Sequence, residues 1–189
     1  LASTIALTLL ASSALAHSPK TADETVTIYG SATSAQAATG AAQYIGEEEL
    51  AKFVYSDIQR VIRQIPGVSV QVEDGYGLRP NISIRGVATE RSGRITLLED
   101  NILIAPAPYS APSAYYFPTI GRMSAIEVVK GPAAITQGPY TIGGALNMVS
   151  TPIPETRGGQ VTLEAAQDAT YRLHANFGDK LDNGFGYLV

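Results

Sequence analysis

The chain has 189 residues, a formal net charge of −4 and no cysteine. The lack of cysteine excludes disulfides and thiolate metal sites, and a mildly acidic chain without a basic run disfavours nucleic-acid binding, because phosphate contacts need clustered Lys and Arg. After the amino-terminal segment, no apolar run is long enough for a membrane-spanning helix.

The first 16 residues have the composition of a secretory signal peptide. They carry no charge, residues 5–10 are apolar, and residues 14–16 form an A-x-A cleavage site. A buried core helix is the alternative. Because neither an initiator Met nor a basic segment precedes Leu1, and residues 185–189 read as an interrupted strand, the sequence is interpreted as a fragment that lacks both ends.

Residues 17–43 are small and polar, and they predict a flexible leader. One β-prone island interrupts this leader. It consists of Glu24, Thr25, Val26, Thr27 and Ile28. An edge strand of the following domain, or a segment without fixed structure, are alternative interpretations of the island.

Two short helices are predicted after the leader. Residues 46–53 begin with three glutamates, where the helix dipole favours negative charge. The second helix begins at Ser56, which forms an S-x-x-Q capping box with Gln59. Its apolar residues fall on one helical face, at Ile58, Val61, Ile62 and Ile65. Pro66 and the following glycine end it.

Alternating apolar and polar residues then predict a series of short strands. These strands cover residues 68–72, 82–84, 94–98, 102–104, 126–130 and 145–150. Glu99, Asp100 and Asn101 are predicted to form a tight turn, because Asn tolerates positive φ. Residues 105–118 contain four prolines and three tyrosines, and they predict an ordered loop.

From Gly159 onward the alternating segments become longer, and a turn is predicted at residues 179–184. This pattern is typical of transmembrane β-hairpins, and also of an ordinary antiparallel sheet with one face in water. Pro152, Pro154 and Gly158 mark the boundary before these segments.

The sequence contains no convincing catalytic or metal-binding set. The two histidines are far apart in the chain, and no cysteine accompanies them. No G-x-S-x-G elbow or P-loop is found. The carboxylates at residues 47–49 and 99–100 fit a helix start and a turn. An enzyme is therefore disfavoured.

Two sequence blocks resemble a known family. Residues 79–86 read R-P-N-I-S-I-R-G, and residues 126–150 contain I-E-V-V-K-G-P followed by G-G-A-L-N-M-V. In this order they resemble the plug domain of TonB-dependent outer-membrane transporters. Residues 79–81, 108–109 and 138–139 are similar to the ferric citrate and siderophore receptor branch. Asn101 departs from the family pattern, which has glycine there.

The resemblance implies an α+β plug domain, a small mixed sheet with short helices, at residues 44–152. The first antiparallel strands of a transmembrane β-barrel would follow at residues 158–189. In this family the plug fills a barrel of about 22 strands. The implied location is the outer membrane of a Gram-negative bacterium, in contact with its lipid, with the plug inside the barrel and the amino terminus in the periplasm.

The resemblance also implies how the protein is energised and anchored. Residues 24–28 resemble a TonB box, which would add as a strand to TonB, working with ExbB and ExbD. Arg85 and Lys130 match basic positions that meet glutamates of the barrel wall, and Glu127 would complete that cluster. Solvent-exposed charges are the alternative.

The implied function is import of a ferric chelate, with iron arriving as the chelate and not as a bound cofactor. Arg91 and Arg94 are candidates to bind its negative charge, and Tyr109, Tyr115 and Tyr116 to supply aromatic contacts. Ordinary loop charges and loop packing are the alternatives. Other cargo (cobalamin, nickel or an oligosaccharide) and a non-transporting envelope binding module that uses the plug fold also stay open.

Overall fold

The computed structural model describes residues 29–38, 40–52, 58–73, 79–105, 116–167 and 169–189. The predicted signal peptide, the island at residues 24–28 and most of the proline-rich loop lie outside these ranges. The chain divides into two compact units, with the boundary between Thr151 and Pro152.

The elements follow one another in a mixed order. The helices are α1 Ala32–Ala37, α2 Glu47–Ala51 and α3 Ile58–Ile62. The strands are β1 Ala41–Ile45, β2 Val68–Val70, β3 Ile82–Ile84, β4 Ile95–Glu99, β5 Ile102–Ala105, β6 Met123–Lys130, β7 Gly144–Ser150, β8 Gly158–Ala166, β9 Thr170–Lys180 and β10 Gly186–Leu188. Short 3-10 helices cover Glu90–Ser92, Ile120–Arg122 and Gly131–Gln137.

The first unit is built on a five-stranded sheet with the order β1-β6-β7-β4-β5. Strands β4 and β7 are parallel, and the other pairs are antiparallel. A separate hairpin of β2 and β3 lies beside it. The first unit thus has the predicted α+β character, with a small mixed sheet and short helices.

Helix α3 buries the apolar face that its sequence predicts. Ile58, Val61 and Ile62 are almost fully buried, as is Ile65 just beyond the helix. They belong to one hydrophobic core that also contains the inner residues of β3, β4, β6 and β7. A helix this short is not stable alone, so its stability comes from this packing.

The predicted leader is partly ordered, which differs from the sequence-based expectation. Residues 32–37 form α1, capped by the Ser31 hydroxyl, and residues 41–45 form β1. Strand β1 pairs antiparallel with β6, from Ala41 opposite Lys130 to Ile45 opposite Ile126. The edge of β6 supplies the backbone hydrogen bonds, so this segment needs no strong strand pattern of its own.

The second unit is a three-stranded antiparallel sheet with the order β10-β9-β8. Its apolar side chains are largely exposed, including Val161, Leu163, Tyr171 and Leu173. On the other face Arg172 forms an ion pair with Glu164. The antiparallel strands predicted here are confirmed, with β8 and β9 paired from Gly158 opposite Gly178 to Ala166 opposite Thr170.

In the described residues, no helix has both the length and the apolar character that crossing a membrane requires.

Gly144, the first residue of β7, is required by close backbone packing. Its φ is +149°, and a Cβ there would lie 2.2 Å from the carbonyl oxygen of Val129. Backbone atoms of a paired strand cannot move aside. Gly67 offers a comparison, because its φ is +79° but nothing lies within 4 Å of the added atom.

We therefore expect Gly144→Ala to destabilise the chain by clearly more than Gly67→Ala. The Gly67 variant should cost on the order of 1 kcal/mol, the strain of a left-handed alanine, and the Gly144 variant should add the clash with β6. Urea unfolding followed by circular dichroism measures both. Equal losses of unfolding free energy would show that β7 can relax around the new methyl group.

Candidate functional site

Arg85 and Lys130 lie together and are called here the basic pair. Arg85 follows β3 with φ of +57°, and its backbone N–H donates to the Gly67 carbonyl at 2.8 Å. Lys130 ends β6, and its Nζ donates to the Pro66 carbonyl at 2.7 Å. The Arg85 guanidinium lies directly against Gly131, where a Cβ would be 2.3 Å from Nη1.

The basic pair is electrostatically unbalanced. Burial lowers the pKa of the Lys130 ammonium from its ordinary 10.5, and the positive charge of Arg85 lowers it further. Neither side chain forms an ion pair with another residue of the described ranges. Two adjacent cations repel each other, so this place suits an anionic group from elsewhere.

Glu127 has partners different from those that the resemblance implies. Its side chain is fully buried, and its carboxylate accepts hydrogen bonds from the backbone N–H groups of Tyr29 and Gly30, each at 2.8 Å. Asn147 donates to the other carboxylate oxygen at 2.9 Å. These three partners belong to the first unit.

Arg91 lies in a tightly organised turn. Arg91 and Ser92 both have positive φ, and the Arg91 N–H donates to Asn81 Oδ1 at 2.7 Å. The Ser92 hydroxyl, which is buried, accepts from the Ile82 N–H and donates to the Pro80 carbonyl. The Arg91 guanidinium forms a 2.9 Å ion pair with Glu73, so part of its charge is neutralised.

Arg94 has surroundings that differ from those of Arg91. Its carbonyl accepts from the Gly143 N–H at 3.0 Å, and its exposed side chain lines an open groove. The other lining residues are Pro132, Ile135, Tyr140, Thr141 and Ile142. The structure therefore does not bring the two predicted arginine ligands onto common partners.

Of the three predicted tyrosines, Tyr109 and Tyr115 lie outside the described residues. The Tyr116 hydroxyl donates to Glu99 at 3.0 Å and accepts from Arg122 at 2.8 Å, while Arg122 also pairs with Glu99. Burial raises the pKa of Tyr116, and the hydrogen bond to Glu99 raises it further. Its hydroxyl is thus already engaged, although 47% of the residue is exposed.

The contacts made by two structurally important residues were not predicted. Asn147 is fully buried and connects Glu127 to the turn at residues 100–101. Asp100 accepts from the backbone N–H and the hydroxyl of Ser150. The available signal for Asn147 was a polar residue in the middle of each of two largely apolar strands, Glu127 in β6 and Asn147 in β7. Within the described residues, no group of three or more potential metal ligands occurs.

Comparison with known sequences matches this chain to one family model and to outer-membrane proteins. A family model described as the TonB-dependent Receptor Plug Domain matches residues 34–145. The vitamin B12 transporter BtuB of Vibrio vulnificus (strain CMCP6) is 30% identical over 149 residues, which cover 75% of this chain and 24% of that protein. An iron-regulated outer membrane virulence protein of Vibrio cholerae serotype O1 is 28% identical over 160 residues, 82% of this chain and 24% of the relative.

Solved structures agree with the sequence matches. The unliganded ferric citrate transporter FecA is similar with a TM-score of 0.69 at 32% identity, covering 82% of this chain and 25% of that one. The ferric enterobactin receptor PfeA of Pseudomonas aeruginosa shares the fold, with a TM-score of 0.60 at 21% identity over 80% of this chain and 24% of that chain. The chain thus spans about a quarter of the length of these relatives.

The lowered pKa of Lys130 predicts how the stability of the chain depends on pH. Because the folded chain holds the Lys130 proton less tightly than the unfolded chain does, this residue makes stability rise with pH between its lowered pKa and 10.5. Arg85→Gln removes one of the two causes, so we expect the pKa of Lys130 to rise. NMR titration of the lysine side chain measures it. Arg122→Gln is the control, since Arg122 does not shift Lys130, and an unchanged pKa in the Arg85 variant would contradict the pairing.

Proposed function

The chain belongs to the TonB-dependent receptors through its plug domain, and we propose that the complete receptor imports a ferric chelate of the siderophore or ferric citrate type. As a member of this family it is a receptor of the outer membrane and not an enzyme. The observation that favours a ferric chelate is the similarity to the ferric citrate transporter FecA, at 32% identity over 82% of the chain.

Cobalamin is the second candidate cargo. The specific observation in its favour is the 30% identity to the vitamin B12 transporter BtuB. An iron-regulated outer membrane virulence protein of Vibrio cholerae is similar at 28% identity, and its name states regulation by iron and no cargo. The mechanism of coupling is the same for both cargoes. In either case, the proposed receptor holds no resident cofactor, and any iron arrives inside the chelate.

Energy coupling is assigned to residues 24–28, which immediately precede the first described residue, Tyr29. We propose that this segment is a TonB box. An extended segment can add as an edge strand to a partner, and backbone hydrogen bonds then supply the affinity. TonB, with ExbB and ExbD, is the proposed partner.

Ligand recognition is assigned to loops of the plug and of the rest of the receptor. Arg91 is held in position by a fixed turn and by Glu73, whose carboxylate also neutralises part of its charge. The roles of Arg94, Tyr109, Tyr115 and Tyr116 stay proposals. A planar guanidinium suits the carboxylates of a ferric citrate-type chelate.

Anchoring is assigned to the basic pair. Arg85 and Lys130 are adjacent cations without an ion-pair partner in the described residues, and carboxylates of the barrel wall would supply the missing charge. Glu127, also predicted to anchor, has internal hydrogen bonds that suit a structural role within the plug.

An uptake experiment tests the cargo. Cells without their own ferric citrate, siderophore and cobalamin receptors would express the complete receptor and receive radiolabelled iron as ferric citrate, iron as a catecholate siderophore, or labelled vitamin B12. We expect energised uptake of an iron chelate. Uptake of vitamin B12 alone would overturn the ferric-chelate proposal in favour of cobalamin.

The same cells test the coupling segment. Deleting residues 24–28 should abolish uptake of the transported probe while leaving its binding to the cell surface unchanged. Val26→Pro removes one backbone donor and should impair uptake, whereas Val26→Ala keeps that donor and serves as the matched control. Normal uptake after the deletion would refute the TonB-box assignment.

The proposed contact between the basic pair and carboxylates of the barrel wall predicts a change in the pKa of Lys130. Wall carboxylates would stabilise the charged ammonium, so the pKa of Lys130 should be higher in the complete receptor than in this chain. The comparison uses the same lysine NMR signal in both proteins. An equal or lower pKa in the complete receptor would exclude a carboxylate partner.

A further inference from the structure

A buried carboxylate holds the segment that follows the proposed TonB box. Glu127 is 0% exposed in the middle of β6. A buried charge is tolerated only when hydrogen bonds replace its lost hydration. Two of these bonds come from the backbone of Tyr29 and Gly30, 98 and 97 residues earlier in the chain. The amino-terminal segment is therefore part of what makes this buried charge stable.

Asn147 extends this contact across the sheet. It lies directly opposite Glu127 in the register of β6 and β7, and its Nδ2 donates to Glu127 at 2.9 Å. Its Oδ1 accepts from the backbone N–H of Asn101, also at 2.9 Å. The orientation of the Asn147 amide is determined, because a backbone N–H can only donate and an ionised carboxylate can only accept.

The far end of this chain of hydrogen bonds is a fixed turn. Asp100 and Asn101 both have positive φ, and they connect β4 to β5. The Asp100 N–H donates to the Met148 carbonyl at 2.9 Å, and its carboxylate accepts from the backbone and hydroxyl of Ser150. A displacement of this turn therefore acts on β7 and on the orientation of Asn147.

We propose that Glu127 and Asn147 form a latch that holds residues 29–30 in the plug and couples their release to the turn at residues 100–101. The role of the latch in transport rests on the proposed function, since a pull on residues 24–28 reaches Tyr29 first. Withdrawal of the Asn101 N–H frees the Asn147 amide to rotate, and Glu127 then loses a donor. Coupling is reciprocal, so release of residues 29–30 also loosens the turn.

In the latch, each hydrogen-bond donor must face an acceptor. Substitutions that break or restore this match therefore test the proposal. Glu127→Gln places a second amide nitrogen opposite Asn147, and rotating either amide only moves the mismatch to Asn101 or to residues 29–30. Asn147→Asp places two carboxylates opposite each other. Combining both substitutions restores the match, with the glutamine donating to the new carboxylate and the same total charge.

Hydrogen exchange in the complete receptor, without ligand or TonB, measures the latch directly. We expect each single substitution to speed exchange of the amides of residues 29–31 by roughly ten- to a hundredfold, the effect of losing a hydrogen bond to a charged group. The double variant should return to nearly the wild-type rate. The amides of residues 144–146 in β7 report whether the sheet itself has opened.

Ser124→Ala is the matched control, because it removes a hydrogen bond between β6 and β7 that does not involve Glu127. It should leave exchange of residues 29–31 unchanged.

Two outcomes would overturn the latch. One is that the amides of residues 29–31 exchange at the wild-type rate in Glu127→Gln. The other is that these amides exchange as fast in the double variant as in the single variants while the sheet stays intact. If a single variant does not fold, recovery of folding and protection in the double variant still supports it. The predicted exchange pattern in a receptor that imports none of the probes would refute the proposed function and leave the latch standing.

Discussion

The first unit depends on the burial of one negative charge. Glu127 is fully buried in β6, an interior strand of the sheet, where an ionised carboxylate is unstable without donors. Among the described residues, the backbone after the proposed coupling segment and Asn147 of the neighbouring strand β7 donate to it. Asn147 in turn accepts from the turn between β4 and β5. Segments far apart in sequence are thus stabilised by a common interaction.

The strands around this charge tolerate little change. Strand β7 pairs with β6 on one side and β4 on the other, and Gly144 lets its first residue lie against the Val129 carbonyl. Such close backbone packing fixes the register, and the register is what places Asn147 opposite Glu127. A slip of β7 by one residue would turn Asn147 to the other face of the sheet, away from Glu127.

The basic pair differs from Glu127 in how its charge is compensated. Glu127 accepts from donors of the first unit, whereas Arg85 and Lys130 form no ion pair with a carboxylate among the described residues. Burial and mutual repulsion both act against the charged form of Lys130. Two adjacent cations without a carboxylate partner among the described residues are well suited to a protein in which another part supplies the anions.

The sequence by itself determined the local elements and the family. The face of α3, the Asp100–Asn101 turn and the strands β6 and β7 followed from periodicity and turn chemistry, because these depend on neighbouring residues. Only the tertiary structure decided that residues 32–37 form a helix, that residues 41–45 pair with β6, and that Glu127 bonds to Tyr29, Gly30 and Asn147. The reason is that such contacts join residues 20 to 98 positions apart, and a local pattern shows that a polar residue is buried without showing which distant donor satisfies it.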